Sequence, residues 1–498
     1  MMNRKVFGIR LPYLLGFLAL VVILLIVLLG GTVVDIIDKA IHPDQINPDD
    51  IVVCSESGAC TLWYPFLYSA VLLIGLLICF MITTLIERQF LAALQQRVGP
   101  NRVGPGGYLQ PIADAVKMIF KEDIFPKQVN KVTYILAPVL KLTPVFLAGA
   151  VIPFGPDLLL PWVNGDWYRV PLSVADINVG VLWILAATSL ATYGVVLAGW
   201  SSSNKYSMLG GLRATAQMIS YEIAMGLAVA VPIMLADSMS VRDIVDAQSG
   251  NPLHWFIFQN PLAAGILAIA LIAELNRSPF DLPEAEQELT AGFITEYSGM
   301  KFALFMMAEY VGMAVASLVF ISLFLGGYHF VLVDEAPILG PIFLTIKLML
   351  CLFGLVWVRA TLPRLRYDRL MTLGWKVLLP LALLAVSWTA IAVVIGEELG
   401  TNGYTWISLV IFALVLLGWW FFGRADAVEK LGYETDSTIT GERGLAYTLA
   451  ELLGGLLAIP PLLYRAARRG LTRLTQLRST SRRHPVAPTS DGAPDEEN

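Results

Sequence analysis

Residues 62–86 read LWYPFLYSAVLLIGLLICFMITTLI, with no formal charge along the whole stretch. An α-helix rises about 1.5 Å per residue, so about twenty apolar residues cross the hydrocarbon core of a bilayer. The stretch therefore predicts a membrane-spanning helix. Nine more blocks have the same character: 12–34, 133–153, 178–199, 214–236, 261–275, 302–327, 342–360, 377–396 and 405–423. The block at 261–275 is the shortest and reads as tilted, broken or extended by its neighbours. The first block follows Arg4, Lys5 and Arg10. It is too long and lacks the small-residue cleavage site of a signal peptide, so it reads as a retained helix. The predicted fold is all-α, a polytopic membrane helix bundle with about ten transmembrane helices plus amphipathic surface helices. Composition agrees, since the 498 residues are 56% hydrophobic and 15% charged. Soluble domains carry about 25% charged residues, so an ordinary soluble enzyme is excluded, as is disorder over most of the length.

Charge placement orients the bundle. With the N-terminus inside, 29 of the 34 Lys and Arg residues fall in inner segments or the C-terminal tail. Cytoplasmic loops are the basic ones, so both termini are expected on that side. Cys54 and Cys60 then share the first outer loop, as a disulfide or as two thiols. Cys79 and Cys351 stand alone in apolar blocks, which lacks the ligand spacing of an iron–sulfur cluster. His42, His254, His329 and His484 lie in loops or the tail, where they cannot form a bis-histidine haem site inside the helices. No GxGxxG follows a strand and no GxxxxGK[ST] occurs. No metal site and no redox cofactor of its own is therefore expected in the chain.

Two inner loops are unusual. In the first, QRVGPNRVGPGG (96–107), residues 99–107 hold four glycines and two prolines. A helix cannot continue through them, so a tight loop presents Arg97 and Arg102. Leu109, Ile112, Ala113, Val116, Ile119 and Phe120 then recur at helical spacing, opposite Asp114, Lys117 and Lys121. That pattern predicts an amphipathic helix along the membrane surface or under a partner. A plain surface anchor would read the same way.

The second loop, AELNRSPFDLPEAEQE (273–288), is acidic where the other short inner loops are basic. Glu274, Asp281, Glu284, Glu286, Glu288, Glu296 and Glu309 stand against Arg277 and Lys301. Asp281 with Glu284 resembles a capping box, and Pro283 fits a first helical turn. A solvated face fits poorly, because Glu274 ends one apolar block and Glu309 lies inside the next. Ionisable groups within spans are costly and line polar paths or cavities. Crowded carboxylates raise one another's pKa, which suits proton exchange. Glu222 lies inside the fifth span, with Arg213 at its inner end and Lys141 in the third span. Lys347 in the eighth reads as a side chain that snorkels to water. Arg366, Asp368 and Arg369 sit in an otherwise ordinary basic loop beside Tyr367 and Trp375.

These motifs carry a resemblance. ERQFLAALQQRVGPNRVGPGGYLQPIADAVKMIFKED (87–123) resembles the first inner loop of a family of membrane subunits of NADH–quinone oxidoreductase, respiratory complex I. The family comprises the H-type subunit of the bacterial complex and its mitochondrial counterpart, NADH dehydrogenase subunit 1. AELNRSPFDLPEAEQELTAGFITEYSGMKFALFMMAEY resembles that family's acidic loop, and AGWSSSNKYSMLGGLRATAQMISYE and RATLPRLRYDRLMTLGWK match in order and spacing. The resemblance covers about residues 62–396, eight spans. It implies a subunit that joins a peripheral redox arm to a membrane arm and lines a chamber where the quinone head group meets an iron–sulfur cluster held by another subunit. It also implies the start of a charged path toward antiporter-like subunits.

By that resemblance Arg97, Arg102, Arg277, Asp281, Glu284, Glu286, Glu288, Arg366, Asp368 and Arg369 belong to the quinone chamber. Glu222, Glu274, Glu296 and Glu309 belong to the proton path. Quinone is the substrate, and flavin and iron–sulfur clusters sit on partner subunits. The expected partners are the peripheral quinone-module subunits, small membrane-arm subunits and anionic lipid; nucleic acid is not among them. The expected location is a bacterial inner membrane. The runner-up is the equivalent membrane subunit of an energy-converting hydrogenase or a ferredoxin–quinone complex. A secondary transporter lacks support because the charged segments do not repeat internally. A structural anchor does not account for the buried carboxylates.

Both ends depart from the family pattern. Residues 1–61 add a helix and an acidic outer loop, 397–423 add another span, and 424–498 form a cytoplasmic tail. Within the tail, 444–464 reads as an interfacial helix, followed by Arg465, Arg468, Arg469 and Arg473, which suit anionic lipid. Residues 479–498 read as disordered.

The orientation is testable with a reporter enzyme active only outside the cytoplasm. Fused after residue 498 it is expected to be inactive, and fused after residue 57 active; the opposite pattern inverts the bundle.

Overall fold

The computed structural model describes residues 5–6, 9–10, 51–53, 63–161, 167–281, 291–330, 333 and 337–399. The predicted spans 12–34 and 405–423, the tail helix 444–464, and most of the segments 1–61 and 397–498 lie outside them. Seven described helices are long and apolar enough to cross a bilayer. The first of these lies within α1 (Trp63–Leu94). The amphipathic helix α2 (Gln110–Phe120) follows, then α3 (Lys131–Gly149), α4 (Gly180–Ser201) and α5 (Lys205–Ala236). Two short helices, α6 (Val241–Asp246) and α7 (Phe256–Gln259), precede α8 (Pro261–Glu274), which is apolar but short. The set closes with α9 (Gly299–Phe324), α10 (Leu339–Thr361), α11 (Tyr367–Thr372) and α12 (Leu379–Leu399), the last two joined by a π-helical stretch, Leu373–Leu378.

The all-α expectation needs one amendment. Short strands occur at β1 (Lys5–Val6), β2 (Ile9–Arg10), β3 (Ile51–Val53), β4 (Leu158–Pro161) and β5 (Trp167–Val170). β5 pairs in parallel with β3 and antiparallel with β4, in the connection between α3 and α4. An open sheet edge is tolerated there because loops outside the bilayer have water to satisfy the backbone.

Two helices outrun their apolar blocks. α1 continues past residue 86 to Leu94, and α5 begins at Lys205 rather than near 214. Apolarity stops at Glu87 and Arg213, but helical hydrogen bonding does not. α5 starts where Asn204 accepts a bond from the Tyr206 N–H at 3.0 Å, an N-cap.

Small residues set the packing of α3, α4 and α5. A Cβ on Gly194 of α4 would lie 2.6 Å from the Lys141 nitrogen and 2.9 Å from the Ala137 carbonyl of α3. A Cβ on Gly199 would lie 2.8 Å from the Ser207 carbonyl of α5. Lipid drives no hydrophobic association between helices, so close backbone approach through small residues supplies the attraction. On the basic side, Tyr134 of α3 stacks on Tyr297 at 4.2 Å, and Lys301 lies 3.2 Å from the Phe125 ring while pairing with Asp123 at 2.8 Å. Burial pushes the Tyr297 phenol up to about 12, so it stays neutral.

The opposite side is tied differently. Gln248, fully buried, donates to the Ile244 and Ser322 carbonyls at 3.0 Å each and accepts from the Phe256 and Gly326 N–H groups at 3.2 and 3.0 Å. Arg242 pairs with Asp157 at 2.6 Å. Burial works against a charge on Asp246, yet hydrogen bonds from His329 and Tyr328 hold it below its ordinary value. Lys347 does not snorkel. Its ammonium donates to the carbonyls of Leu325, Gly327 and His329 at 2.7, 2.8 and 2.7 Å, over the Trp255 ring. The carbonyls just past the end of α9 capture it, because backbone without helical partners inside protein needs donors.

Gly194→Val is expected to lower the stability of the detergent-solubilised protein by about 1–3 kcal/mol, through overpacking against α3. Gly226→Ala, with nothing within 4 Å of the added carbon, is expected to leave it unchanged. Thermal unfolding midpoints of the two variants check this.

Candidate functional site

The site is built around the end of α8. Its 14 residues span only about 21 Å, short of the ~30 Å hydrocarbon core. The helix stops at Glu274, and Asn276 takes a left-handed conformation, φ 52°. Asparagine visits that region more readily than other side-chain-bearing residues, so it suits the residue just past a helix end. The chain then continues to Asp281 buried in protein, with Asn276, Arg277 and Phe280 exposed by 2%, 9% and 3%.

Four helices, α3, α4, α5 and α9, bring polar groups to this break. Glu222 of α5 stands about 25 Å along the axis from Lys205, deep in the bundle. Its carboxylate accepts a hydrogen bond from Ser189 of α4. Glu274 shares a cavity wall with Thr188 of α4 and lies within electrostatic reach of Lys141 and Glu222. Lys141, Thr188, Glu274 and Glu309 line one cavity of ≈ 70 Å³. The remainder of its wall is almost entirely apolar, including Val145, Val181, Ile184, Val319 and Leu323. Carboxylates and an ammonium therefore meet at one part of a mostly hydrocarbon-lined space.

Below Glu274, two ion pairs flank a second, smaller cavity. Arg277 pairs with Glu309 of α9 at 3.2 Å, with side chains 10% and 5% exposed, and its guanidinium lies 4.3 Å from the Tyr310 ring centre. Arg359 of α10 pairs with Glu87 of α1. Glu87, Arg277, Ser278 and Arg359 line the cavity between them. Removing one partner of such a pair leaves an uncompensated buried charge, at a cost of about 3–5 kcal/mol. The first pair ties the loop to α9, and the second ties α10 to α1 across the cavity.

The predicted site residues separate into groups. Glu222, Glu274 and Glu309 are brought together, with Lys141. Glu296 is set apart: it lies on the basic side, where Asn204 donates to its Oε1 at 2.7 Å. Glu309 is about 15 Å along α9 from Gly299. Arg277 and Asp281 lie in the loop after α8, whereas Glu284, Glu286 and Glu288 lie outside the described residues. Arg97 and Arg102 are exposed on the loop before α2, with Arg97 donating to Gln95 at 2.7 Å. Arg366 and Asp368 pair with each other at 3.2 Å but are 82% and 73% exposed, and Arg369 is exposed as well. An exposed pair of this kind contributes little to stability. The segment nevertheless meets the loop after α8, for the Leu365 N–H donates to the Pro279 carbonyl at 3.0 Å. Helix α2 forms as predicted, without one buried residue; Phe120 is 84% exposed.

Sequence reading missed Glu87, Arg359 and Gln217. Glu87 follows the last apolar residue of its block and reads as an interfacial charge. The apolar residues Phe90, Leu91 and Leu94 beyond it were the available sign that the helix continues. Gln217 is fully buried in α5, and its amide donates to the Ala273 and Phe280 carbonyls at 2.8 and 2.9 Å. A neutral amide in an apolar helix gives no charge signal. Among the described residues, no three His, Cys, Asp or Glu side chains converge as a metal site.

A family model described as NADH dehydrogenase matches residues 67–390. The chain belongs to the NADH dehydrogenase family. An H-type subunit of NADH-quinone oxidoreductase from Syntrophobacter fumaroxidans is 52% identical over 306 residues, covering 61% of this chain and 88% of the relative. A protein of the same description from Geobacter metallireducens is 48% identical over 327 residues, covering 62% of this chain and 90% of the relative. NADH-quinone oxidoreductase subunit 8 of Rhodothermus marinus is 46% identical over 347 residues, covering 67% and 98%. This NADH dehydrogenase-family chain holds its break after α8, both ion pairs and both cavities within the matched stretch. Residues 1–66 and 391–498 lie outside the match.

In the NADH dehydrogenase-family chain, Arg277→Leu and Glu309→Gln are each expected to destabilise the solubilised protein by about 3–5 kcal/mol. The double variant is expected to lose less than the sum, because neither charge is left alone. Unfolding midpoints of the three variants give the coupling, and additive losses would show that the two groups do not interact.

Proposed function

We propose that this chain is the membrane subunit of a proton-translocating NADH–quinone oxidoreductase that walls the quinone chamber and begins the charged path from the redox arm into the membrane arm. The observation that carries this reading is the convergence of Glu222, Glu274, Glu309 and Lys141 inside an apolar bundle, one turn from a buried loop that leads to the exposed basic-side segments. The family match and the names of the relatives support it.

In this reading the loop from Arg277 through Asp281 to Glu284, Glu286 and Glu288, with Arg97, Arg102, Arg366, Asp368 and Arg369, faces the quinone head group. Flavin and iron–sulfur clusters on partner subunits would supply the electrons. Reduction of the quinone to the quinol takes up two electrons and two protons. The intermediate negative charge draws on Arg277 and the neighbouring acids. Once Arg277 shifts toward that charge, Glu309 loses its counter-ion, and a buried carboxylate without one favours the protonated form. Glu274 and Glu222 feel that change across the cavity, and such coupled groups titrate as a set rather than singly. Glu296 belongs to the basic-side entrance of the path.

The exposed loops around 95–109 and 364–369 and the uncovered apolar face of α2 suit the quinone-module subunits. The small membrane-arm subunits suit the lipid-facing helices. Anionic lipid suits the arginines of the tail. The location is the bacterial inner membrane, with both termini in the cytoplasm.

The test uses native membranes and compares the wild type with Glu274→Gln, each normalised to NADH–ferricyanide activity and to assembled complex on a native gel. The expected result is loss of most NADH–quinone reductase activity and of the linked proton uptake, with assembly retained. Wild-type rates in the assembled variant would remove Glu274 from the path.

A further inference from the structure

The break after α8 poses a backbone problem inside the bundle. Peptide groups that leave a helix within a bilayer must find partners in the protein. The Arg277 carbonyl accepts from the Phe280 N–H at 2.8 Å, and the Pro279 carbonyl accepts from the Leu365 N–H at 3.0 Å. The two ends of the break go to a single side chain. The amide nitrogen of Gln217 donates to the Ala273 carbonyl at 2.8 Å, before the break, and to the Phe280 carbonyl at 2.9 Å, beyond it. It also lies 3.3 Å from Oδ1 of Asn276, the left-handed residue at the turning point. One amide thus clasps the last turn of α8, the corner and the far end of the loop.

What the clasp holds is the charged machinery. Ala273 precedes Glu274, which lines the large cavity; between Ala273 and Phe280 lies Arg277, paired with Glu309. Phe280 precedes Asp281 and the acidic segment. Tyr221, one turn further along α5, packs on Phe280 at 5.7 Å and donates to the Leu370 carbonyl at 2.9 Å. Any displacement of Phe280 therefore pulls on the amide that also holds Ala273.

The opposite side of the bundle holds a comparison. Gln248 is equally buried and ties three backbone carbonyls where Gln217 ties two, but its oxygen is filled by two N–H donors. The Gln217 oxygen accepts nothing from the described residues.

We propose that Gln217 is a positioning residue for quinone-linked proton transfer: by holding both ends of the loop in one amide, it keeps Glu274 and Arg277 placed relative to Phe280 and so sets their part in that transfer. The proposal rests on the quinone reading above. Gln217→Met keeps the shape and removes the donor. In native membranes it is expected to assemble and, normalised to NADH–ferricyanide activity, to lower protons translocated per NADH oxidised. Backbone amide exchange over 275–281 in the purified complex is expected to rise by about tenfold or more, as buried hydrogen bonds are lost.

Faster exchange with an unchanged proton-to-NADH ratio would overturn the proposal and leave a structural clasp only. So would unchanged exchange. If Gln217→Met does not assemble, Gln217→Glu, which keeps the shape and one donor when protonated, is read in the same assays. An assembled Gln217→Glu complex with a lowered ratio supports the proposal, and one with the wild-type ratio overturns it. Failure of both variants to assemble also overturns it in favour of a folding role. Wild-type membranes without NADH-dependent quinone reduction would instead sink the functional reading, whereas the exchange measurement reports on the clasp by itself.

Discussion

A helix that ends inside a membrane protein must hand its unpaired backbone and its charges to neighbours, and α8 does so at Glu274. The basic half of the molecule is organised by that need. α5 supplies an amide for the carbonyls, α9 a carboxylate for Arg277, and the segment before α11 an N–H for Pro279. Arg359 and Glu87 close the far wall of the small cavity, so α10 and α1 are drawn to the same place. Each contact is ordinary in strength. Together they fix a non-helical stretch inside the protein.

The two sides of the bundle answer the same problem in different chemistry. On the side away from the basic loops, Gln248 and Lys347 meet loose carbonyls with neutral and cationic donors. Arg242 lies against Asp157, and Asp246 takes bonds from Tyr328 and His329. On the basic side the break is surrounded by ionisable groups, and the loops beyond it are exposed.

Close packing lets the carboxylates meet. Gly194 allows α4 to approach the backbone of α3 at Lys141, and Gly199 allows α4 to approach α5 at Ser207. That sets Ser189 beside Glu222, and Thr188 beside Glu274 on the wall shared with Lys141. Larger residues at the two glycines would hold the helices apart and leave these charges without partners.

The membrane character of the chain was legible in its apolar blocks, because the bilayer acts on every residue of a span and so imprints composition and length directly. Seven long helices and the short α8 followed from those blocks, as did α2 from its periodicity. The acidic run from Glu274 to Glu309 stood out for the same reason, since charges are scarce in such a sequence. Helix ends were less legible, because α1 and α5 pass through Glu87 and Arg213 once tertiary partners or surface position accommodate the charge. Partner choice was not legible at all. Residues such as Glu87 and Arg359, or Gln217 and Phe280, are far apart in the chain, and nothing local in either one names the other. Only the packing of the helices decided which carboxylates share a cavity, that Lys347 caps carbonyls, and that Glu296 stands apart. The bilayer's demands are felt residue by residue and can be read from composition, whereas the pairing of a buried charge or carbonyl depends on distances that exist only after the helices have met.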